Sequence, residues 1–271
     1  MSMNVISAKL DVIFKKIFSV EENEDMLHDF IASLLDIPYA NIKKIEVLNP
    51  EILPEAIDGK FSRMDLRLLV DDRLINVEMQ ISGESDFADR VLYYWTKMYS
   101  GELKSGENYS ELKQSISINI INFNLFDCPG YHSHFMLMEK ERHELLTDKC
   151  SIHFFELKKI NKTINKNNRM ELWLQLINAE SEEELAMLEN TNVPVIQKAV
   201  MVIHKMSADE KMREIARIRE KAMHDEASAL KGARTEGRAE GRAERDAEIE
   251  AQMRANGLSE ELIKSILKGN K

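Results

Sequence analysis

The chain has 271 residues, of which 44% are hydrophobic and 31% are charged, and its formal net charge is −10. This composition is typical of a soluble globular protein, and no apolar run approaches the ~18 residues that a membrane helix needs. The first residues lack the apolar stretch of a signal peptide, and the two cysteines have no CxxC spacing, which disfavours a zinc site or a disulfide framework. We therefore expect a cytoplasmic protein without a membrane partner.

Hydrophobic periodicity predicts a mixture of helices and strands in the first 205 residues. The predicted elements are helices at 9–18 and 23–35, a strand at 42–48, a hairpin at 61–81, a helix at 87–103 and a strand at 115–123. Strand-like runs follow at 135–138 and 152–155, and then helices at 170–190 and 194–206. The pattern predicts one α/β domain over residues 1–205.

The composition changes abruptly in residues 206–271. This segment contains no aromatic residue, and its 28 charged residues are 14 acidic and 14 basic, so the whole net charge belongs to residues 1–205. Such an acidic domain needs local basic patches or metal ions to approach phosphate.

A four-residue repeat between Arg234 and Glu248 favours a charged helix in this tail. Its acidic and basic stripes each repel themselves, and two glycines weaken the helix further. The tail therefore either frays or pairs with another chain, which makes it a candidate homo-oligomerisation segment. A short amphipathic helix predicted at 259–267 either docks on the domain or contacts another protein.

The predicted hairpin contains the strongest candidate site. With Asp71-Asp72 as a two-residue turn, paired residue numbers sum to 143 and Asp65 faces Glu78. Facing side chains lie roughly 5 Å apart, so these carboxylates require a positive charge between them, and a divalent metal ion is the strongest candidate. Two alternatives stay open: Arg63 and Arg67 neutralise the carboxylates, or the register slips by one residue and separates the pair.

The segment from Gly59 to Phe126 resembles the recombination-promoting nucleases, a transposase-related family with the PD-(D/E)XK nuclease fold. The matching motifs are Gly59–Asp65, Ile75–Gln80, Phe87, Arg90, Tyr93-Tyr94 and residues 121–126, together with Asp11–Phe18. The resemblance implies a restriction-endonuclease-like core of a helix, three strands, a helix and a strand, with added strands and helices and a charged helical C-terminal tail. It covers residues 1–205, and the tail by composition alone.

The same resemblance implies a divalent-metal-dependent DNA endonuclease that hydrolyses phosphodiester bonds in recombination or mobile elements. Asp65 and Glu78 would bind Mg²⁺ or Mn²⁺, and Gln80 would occupy the position of the usual catalytic lysine. An amide cannot act as a base or a cation at neutral pH, so Gln80 would hold a water molecule while the metal ion promotes its deprotonation.

Four neighbouring cations and one acid complete the candidate site. Asp11 lies one helical turn before Lys15, and the resemblance places this helix beside the site. Asp11 would bind a second ion or fix Lys15, or the two residues form an ordinary surface pair. The candidate DNA-phosphate contacts are Lys15, Lys60, Arg63 and Arg90, with charge compensation around the carboxylates as the alternative.

Other residues with suggestive chemistry receive no catalytic role. Tyr93, Tyr94 and Trp95 are predicted to be core and rim aromatics of a helix rather than a platform for stacked bases. His132 and His134 share a strand face, but a third metal ligand is not evident in the sequence.

Two other functions compete with the nuclease. The first is an interaction scaffold derived from a nuclease, which fits the acidic charge, Gln80 and the tail. The second is a strand-transfer transposase, which ranks lowest because no DNA-recognition motif, such as a helix-turn-helix with basic residues, is identifiable.

Overall fold

The computed structural model describes residues 5–48, 51–52, 62–63, 65–83, 86–103 and 106–269. The chain divides into two compact units, Met1–Arg219 and Glu220–Lys271. The first unit thus extends past the predicted limit at residue 205 into the charged segment. Among the described residues, no helix combines the length and the apolar character that crossing a bilayer requires.

Among the described residues, the first unit contains eight strands, and the two units together contain eight α-helices. The strands are β1 (Ile45–Leu48), β2 (Glu51–Ile52), β3 (Ser62–Arg63), β4 (Leu66–Val70), β5 (Arg73–Gln80), β6 (Gln114–Ile121), β7 (His132–Phe135) and β8 (Cys150–Glu156). The helices are α1 (Asp11–Phe18), α2 (Glu24–Leu34), α3 (Phe87–Ser100), α4 (Arg169–Asn178), α5 (Glu182–Glu189), α6 (Pro194–Ala208), α7 (Glu210–Ala255) and α8 (Glu260–Gly269).

Six of the strands form one mixed sheet in the order β1-β4-β5-β6-β8-β7. Strands β5, β6 and β8 are parallel, while β1, β4 and β7 each run antiparallel to their neighbours. Strands β2 and β3 pair separately. The predicted α/β class is confirmed.

The centre of the sheet is buried, and every residue of β6 except the first is shielded from solvent. Ile116, Ile118 and Ile120 of β6 are at most 4% exposed, as expected for a parallel strand covered on both faces. Helix α3 packs on β6, where Trp95 Nε1 donates a hydrogen bond of 2.8 Å to the carbonyl of Ser115. The carboxyl ends of β5, β6 and β8 therefore meet at one edge of the sheet, where ligands bind in open α/β folds.

Helices α1, α2, α4 and α6 pack together, and aromatic side chains connect the first three of them. The rings of Phe18 and Phe30 stack at 4.3 Å, and Trp173 is fully buried beside them. Trp173 Nε1 also donates a hydrogen bond of 2.7 Å to Asp29. This core fixes the position of α1, whose other side carries Asp11 and Lys15.

The predicted hairpin register is confirmed over the whole β4–β5 ladder. Leu66 pairs with Val77 and Val70 pairs with Arg73, so paired numbers sum to 143 and no slip occurs. A different prediction needs correction: the strand expected at 135–138 begins and ends earlier, at His132–Phe135. Met138 instead forms a single bridge with Leu145, because the chain turns back on itself after the strand.

Candidate active site

The register of the central strands places polar side chains on one face of the sheet. Glu78 pairs with Asn119 across β5 and β6, and Asn76 pairs with Ser117 two residues earlier. Because side chains alternate along a strand, Asn76, Glu78 and Gln80 project from the same face. All five side chains line a cleft of about 620 Å³.

Helices α1, α3 and α7 supply the rest of this cleft. Their contributions are Asp11, Val12 and Lys15 from α1, Phe87, Arg90, Val91 and Tyr94 from α3, and Arg219 from α7. Asp65 and Met79 complete the lining. The structure therefore brings Asp65, Glu78, Gln80, Asp11, Lys15 and Arg90 together, although they come from four separate segments of the sequence.

Asp65 lies one residue before β4 and has two defined partners. Its Oδ2 accepts a hydrogen bond of 2.9 Å from the backbone N–H of Met79, which fixes the carboxylate beside Glu78. Its Oδ1 lies 3.1 Å from Lys15 Nζ. Lys15 of α1 thus places a positive charge beside this carboxylate. Arg67, the alternative source of charge, has a buried Nε without a hydrogen-bond partner in the described structure.

Glu78 carries a proton at neutral pH in the absence of a bound cation. Burial, and then the charge of Asp65, raise the pKa of its carboxyl from 4.5 to about 8. A hydrogen bond of 3.3 Å from Asn76 Nδ2 and the charges of Lys15 and Arg90 oppose this rise. Two carboxyl groups whose charges repel each other in one cleft favour a cation between them, since a divalent ion would relieve both their repulsion and the burial cost.

The oxygen atoms of the cleft fit a hard divalent ion. Asn76 Oδ1 and Asn119 Oδ1 are buried without a hydrogen-bond partner in the described structure, although nearly all buried amide oxygens are satisfied. No group of three or more His, Cys, Asp or Glu side chains among the described residues could hold a metal ion. An ion here would therefore rely on Asp65 and Glu78 plus amide, water or phosphate oxygens, as Mg²⁺ commonly does.

Gln80 lines the same cleft at the carboxyl end of β5. Its Nε2 donates a hydrogen bond of 3.0 Å to the carbonyl of Ser82. The backbone carbonyl of Gln80 accepts a hydrogen bond of 2.9 Å from the backbone N–H of Asn122, the residue after β6. The side-chain amide is thus held by Ser82, and the backbone of Gln80 is held where β5 and β6 end.

Asp11 and Lys15 each pair with a residue outside α1. Asp11 Oδ1 accepts a hydrogen bond of 2.7 Å from Arg219 Nε, whereas Lys15 pairs with Asp65. The sequence does not distinguish Arg219, because it lies in the charged segment and its neighbours form no distinctive motif. Its place in the cleft follows only from the packing of the first turns of α7, where Ala216 is buried.

The structure describes some of the remaining residues that the sequence predicts near the site, and not others. Arg90 lies 5.2 Å from the centre of the Phe87 ring and lines the cleft. Trp95 is a core residue, whereas Tyr93 is 40% exposed on the outer side of α3. Lys60 lies outside the described residues, and of Arg63 only the backbone, in β3, is described.

A histidine network occupies the other end of the sheet. His132 Nε2 lies 3.0 Å from His153 Nδ1, and Ser151 Oγ contacts both His134 and His153. Burial lowers the pKa values of all three histidines, that of His153 to about 3, so the rings are neutral at pH 7. They satisfy one another's hydrogen bonds and lie outside the cleft.

The fold and the cleft define an α/β protein with a paired-carboxyl site beside the carboxyl edge of parallel strands. The family profile described as PD-(D/E)XK nuclease family transposase matches residues 8–233. The chain therefore belongs to this family, and the match extends past the predicted domain limit to include Arg219. No curated protein and no solved structure matches the chain.

Proposed function

We propose that this chain is a divalent-metal-dependent DNA endonuclease that hydrolyses phosphodiester bonds in recombination or mobile-element processing. Its core would be restriction-endonuclease-like: α1, the three strands β1, β4 and β5, helix α3 and strand β6. The observation that supports this function best is the close pair of Asp65 and Glu78 in a cleft that also contains cations. The family match supports a nuclease related to transposases.

Asp65 and Glu78 would hold Mg²⁺ or Mn²⁺ through their carboxylate oxygens. The bound ion would supply an activated water molecule and polarise the scissile phosphate. The backbone N–H of Met79 and the amide of Asn76 orient the two carboxyl groups for this role. Both oxygen ligands favour these hard ions over zinc.

Gln80 would orient the attacking water by hydrogen bonding, since its amide takes no proton at neutral pH. Lys15 and Arg90 line the cleft and would contact the negative charge of the scissile and flanking phosphates, with Lys60 and Arg63 as further candidates. Asp11 would hold a second ion, or orient Arg219 toward the substrate through their 2.7 Å hydrogen bond.

Plasmid cleavage tests this proposal directly. Supercoiled plasmid is incubated with the wild type, Asp65→Ala and Glu78→Ala in Mg²⁺, in Mn²⁺ and in EDTA. We expect nicking or linearisation by the wild type with metal alone, and none by either variant. Asp72→Ala, which removes an exposed carboxylate from the hairpin turn, is the matched control and should cleave like the wild type.

The second candidate function is an interaction scaffold. It is favoured by an exposed apolar surface that begins at the last residue of β7, where Phe135, Met136, Leu137 and Leu146 are between 41% and 78% exposed. A folded wild type that cuts no plasmid with either metal would support the scaffold. Equal cleavage by all four proteins would place the site elsewhere or reveal a contaminating nuclease.

A further inference from the structure

A basic segment follows β8 in this otherwise acidic chain. Residues 158–169 contain five lysine or arginine residues and no aspartate or glutamate, while the chain as a whole carries a net charge of −10. The two cations that are partly buried have partners within the fold: Lys159 contacts Glu156, and Arg169 lies 3.7 Å from Asp29. The exposed cations of the segment are Lys158, Lys162 and Lys166.

The segment is held in place by amide side chains. Gln175 Nε2 on α4 donates to the carbonyls of Asn161 and Thr163, at 2.8 and 3.2 Å. Within the segment, Asn161 Oδ1 accepts from the N–H of Thr163, and Asn165 Oδ1 accepts from the N–H of Asn167. These bonds order the backbone, so the exposed lysines project from a defined surface and lose less entropy when they bind a ligand.

This surface adjoins the candidate active site. It follows the carboxyl end of β8, at the same edge of the sheet as Glu78 and Gln80 on β5. Asn122, whose N–H binds the carbonyl of Gln80, lines a second cavity of about 410 Å³ together with Lys158 and Lys162. Asn122 thus connects the wall of the second cavity to β5, the strand that ends in the cleft.

Two acids also line this second cavity, and one of them forms a weak ion pair with a lysine of the segment. Glu180 is already bound by Lys9. Glu184 lies 3.6 Å from Lys162, but the Lys162 side chain is 92% exposed, and such surface pairs contribute little. A polyanion can therefore displace Glu184 without breaking a strong interaction.

We propose that Lys158, Lys162 and Lys166 form a phosphate-binding surface for duplex DNA next to the cleft. DNA offers a continuous row of phosphates that can contact several lysines at once, which a single small anion does not. The choice of DNA rests on the proposed nuclease function. The surface would explain how a chain with an acidic body approaches a polyanion, since lysine–phosphate contacts release bound counterions and favour association.

The test is salt-dependent binding of a fluorescent DNA duplex to the full chain in EDTA, which prevents cleavage. The test variant carries Lys158→Gln, Lys162→Gln and Lys166→Gln. The matched control carries Lys43→Gln, Lys44→Gln and Lys140→Gln, which remove the same charge. These three exposed lysines precede β1 or follow β7, at the opposite edge of the sheet.

We expect the test variant to bind roughly ten- to hundredfold more weakly than the wild type at about 0.1 M salt, with a salt slope smaller by about two to three. The control should stay within about threefold of the wild type, as expected for lysines that make no phosphate contact. Equal affinities of the two triple variants would overturn the proposal, and so would a wild type that binds no DNA. Binding is measured in EDTA and therefore does not depend on cleavage. A chain that binds DNA through this surface but cuts none would refute only the nuclease function.

Discussion

Lys15 and Asp65 form an ion pair across the candidate active site, with Lys15 Nζ 3.1 Å from Asp65 Oδ1. The two side chains are 27% and 13% exposed, so water screens the pair only in part. Asp65 is also a proposed metal ligand. The ammonium group of Lys15 therefore competes with a divalent ion for the same carboxylate.

We predict that Lys15→Met tightens the binding of Mn²⁺ while it weakens cleavage. Removing the competing charge should improve metal affinity by roughly fivefold, or about 1 kcal/mol, as expected for a partly screened charge at this distance. Cleavage should fall because the phosphate loses a cationic contact. Isothermal titration calorimetry gives the affinity, and the plasmid assay gives the activity.

Lys16→Met provides the control for this prediction. Lys16 is the next residue on the same helix and is exposed to solvent, so its loss changes the net charge equally. Its Mn²⁺ affinity should match that of the wild type. Weaker Mn²⁺ binding by Lys15→Met would mean that Lys15 supports the metal site rather than competing with the ion.

The stability of the metal-free protein should decrease as pH rises from about 4.5 to about 8. The pKa of Glu78 is raised from 4.5 to about 8, so in this window the folded protein holds a proton that the unfolded chain releases. The stabilisation is complete below the lower value and is lost as pH passes the upper one. Urea midpoints measured in EDTA by circular dichroism test the trend.

Glu78→Gln should remove this part of the pH dependence, because the amide stays neutral in both states. Glu46→Gln, at an exposed carboxyl of β1, should leave the trend unchanged. Mg²⁺ should stabilise the wild type increasingly as pH rises toward 8, since the ion binds the ionised carboxylate. Parallel profiles for the wild type and Glu78→Gln would show that Glu78 has an ordinary pKa.

Gln80→Ala should reduce cleavage by no more than about tenfold. If Gln80 only hydrogen-bonds a water molecule, its loss removes one neutral hydrogen bond, worth about 0.5–1.5 kcal/mol. Gln114→Ala is the control, because Gln114 also donates to a backbone carbonyl but lies at the amino end of β6. Loss of all activity in Gln80→Ala alone would assign Gln80 a larger role in the reaction.

Truncation after residue 205 should destabilise the first unit, whereas truncation after residue 233 should not. The shorter chain loses the buried Met206 and Ala216 and the Ser207 hydroxyl that accepts a hydrogen bond from the N–H of Ile6. From the apolar burial alone we expect a loss of roughly 2–4 kcal/mol, measurable by urea unfolding. If the two truncated chains are equally stable, the domain ends at residue 205 as the sequence predicts.

The chain that ends at residue 233 also tests the tail as an oligomerisation segment. If its charged stripes pair with a second copy, the full chain should elute as a dimer and the truncated chain as a monomer in light scattering. The truncated chain keeps the first unit complete, so a change in mass reports on the tail. If the full chain and the truncated chain have the same association state, the tail is not an oligomerisation segment.

The sequence by itself determined the features that depend on local periodicity. Alternation in β4 and β5, with a two-residue turn between them, predicted their register, because a slip by one residue would move Leu66 and Leu68 out of the core. The apolar stripes of α1 and α3 and the isoleucine-rich, β-branched run of β6 predicted these elements for the same reason.

Only the tertiary structure decided which residues share the cleft. Lys15 contacts Asp65, and Asp11 contacts Arg219, through the packing of α1 against distant segments. The sequence indicates only that Asn119 belongs to a buried strand, and the parallel pairing of β5 and β6 places it opposite Glu78. Periodicity shows which face of an element is buried, but long-range packing selects which faces meet, and no local pattern encodes that choice.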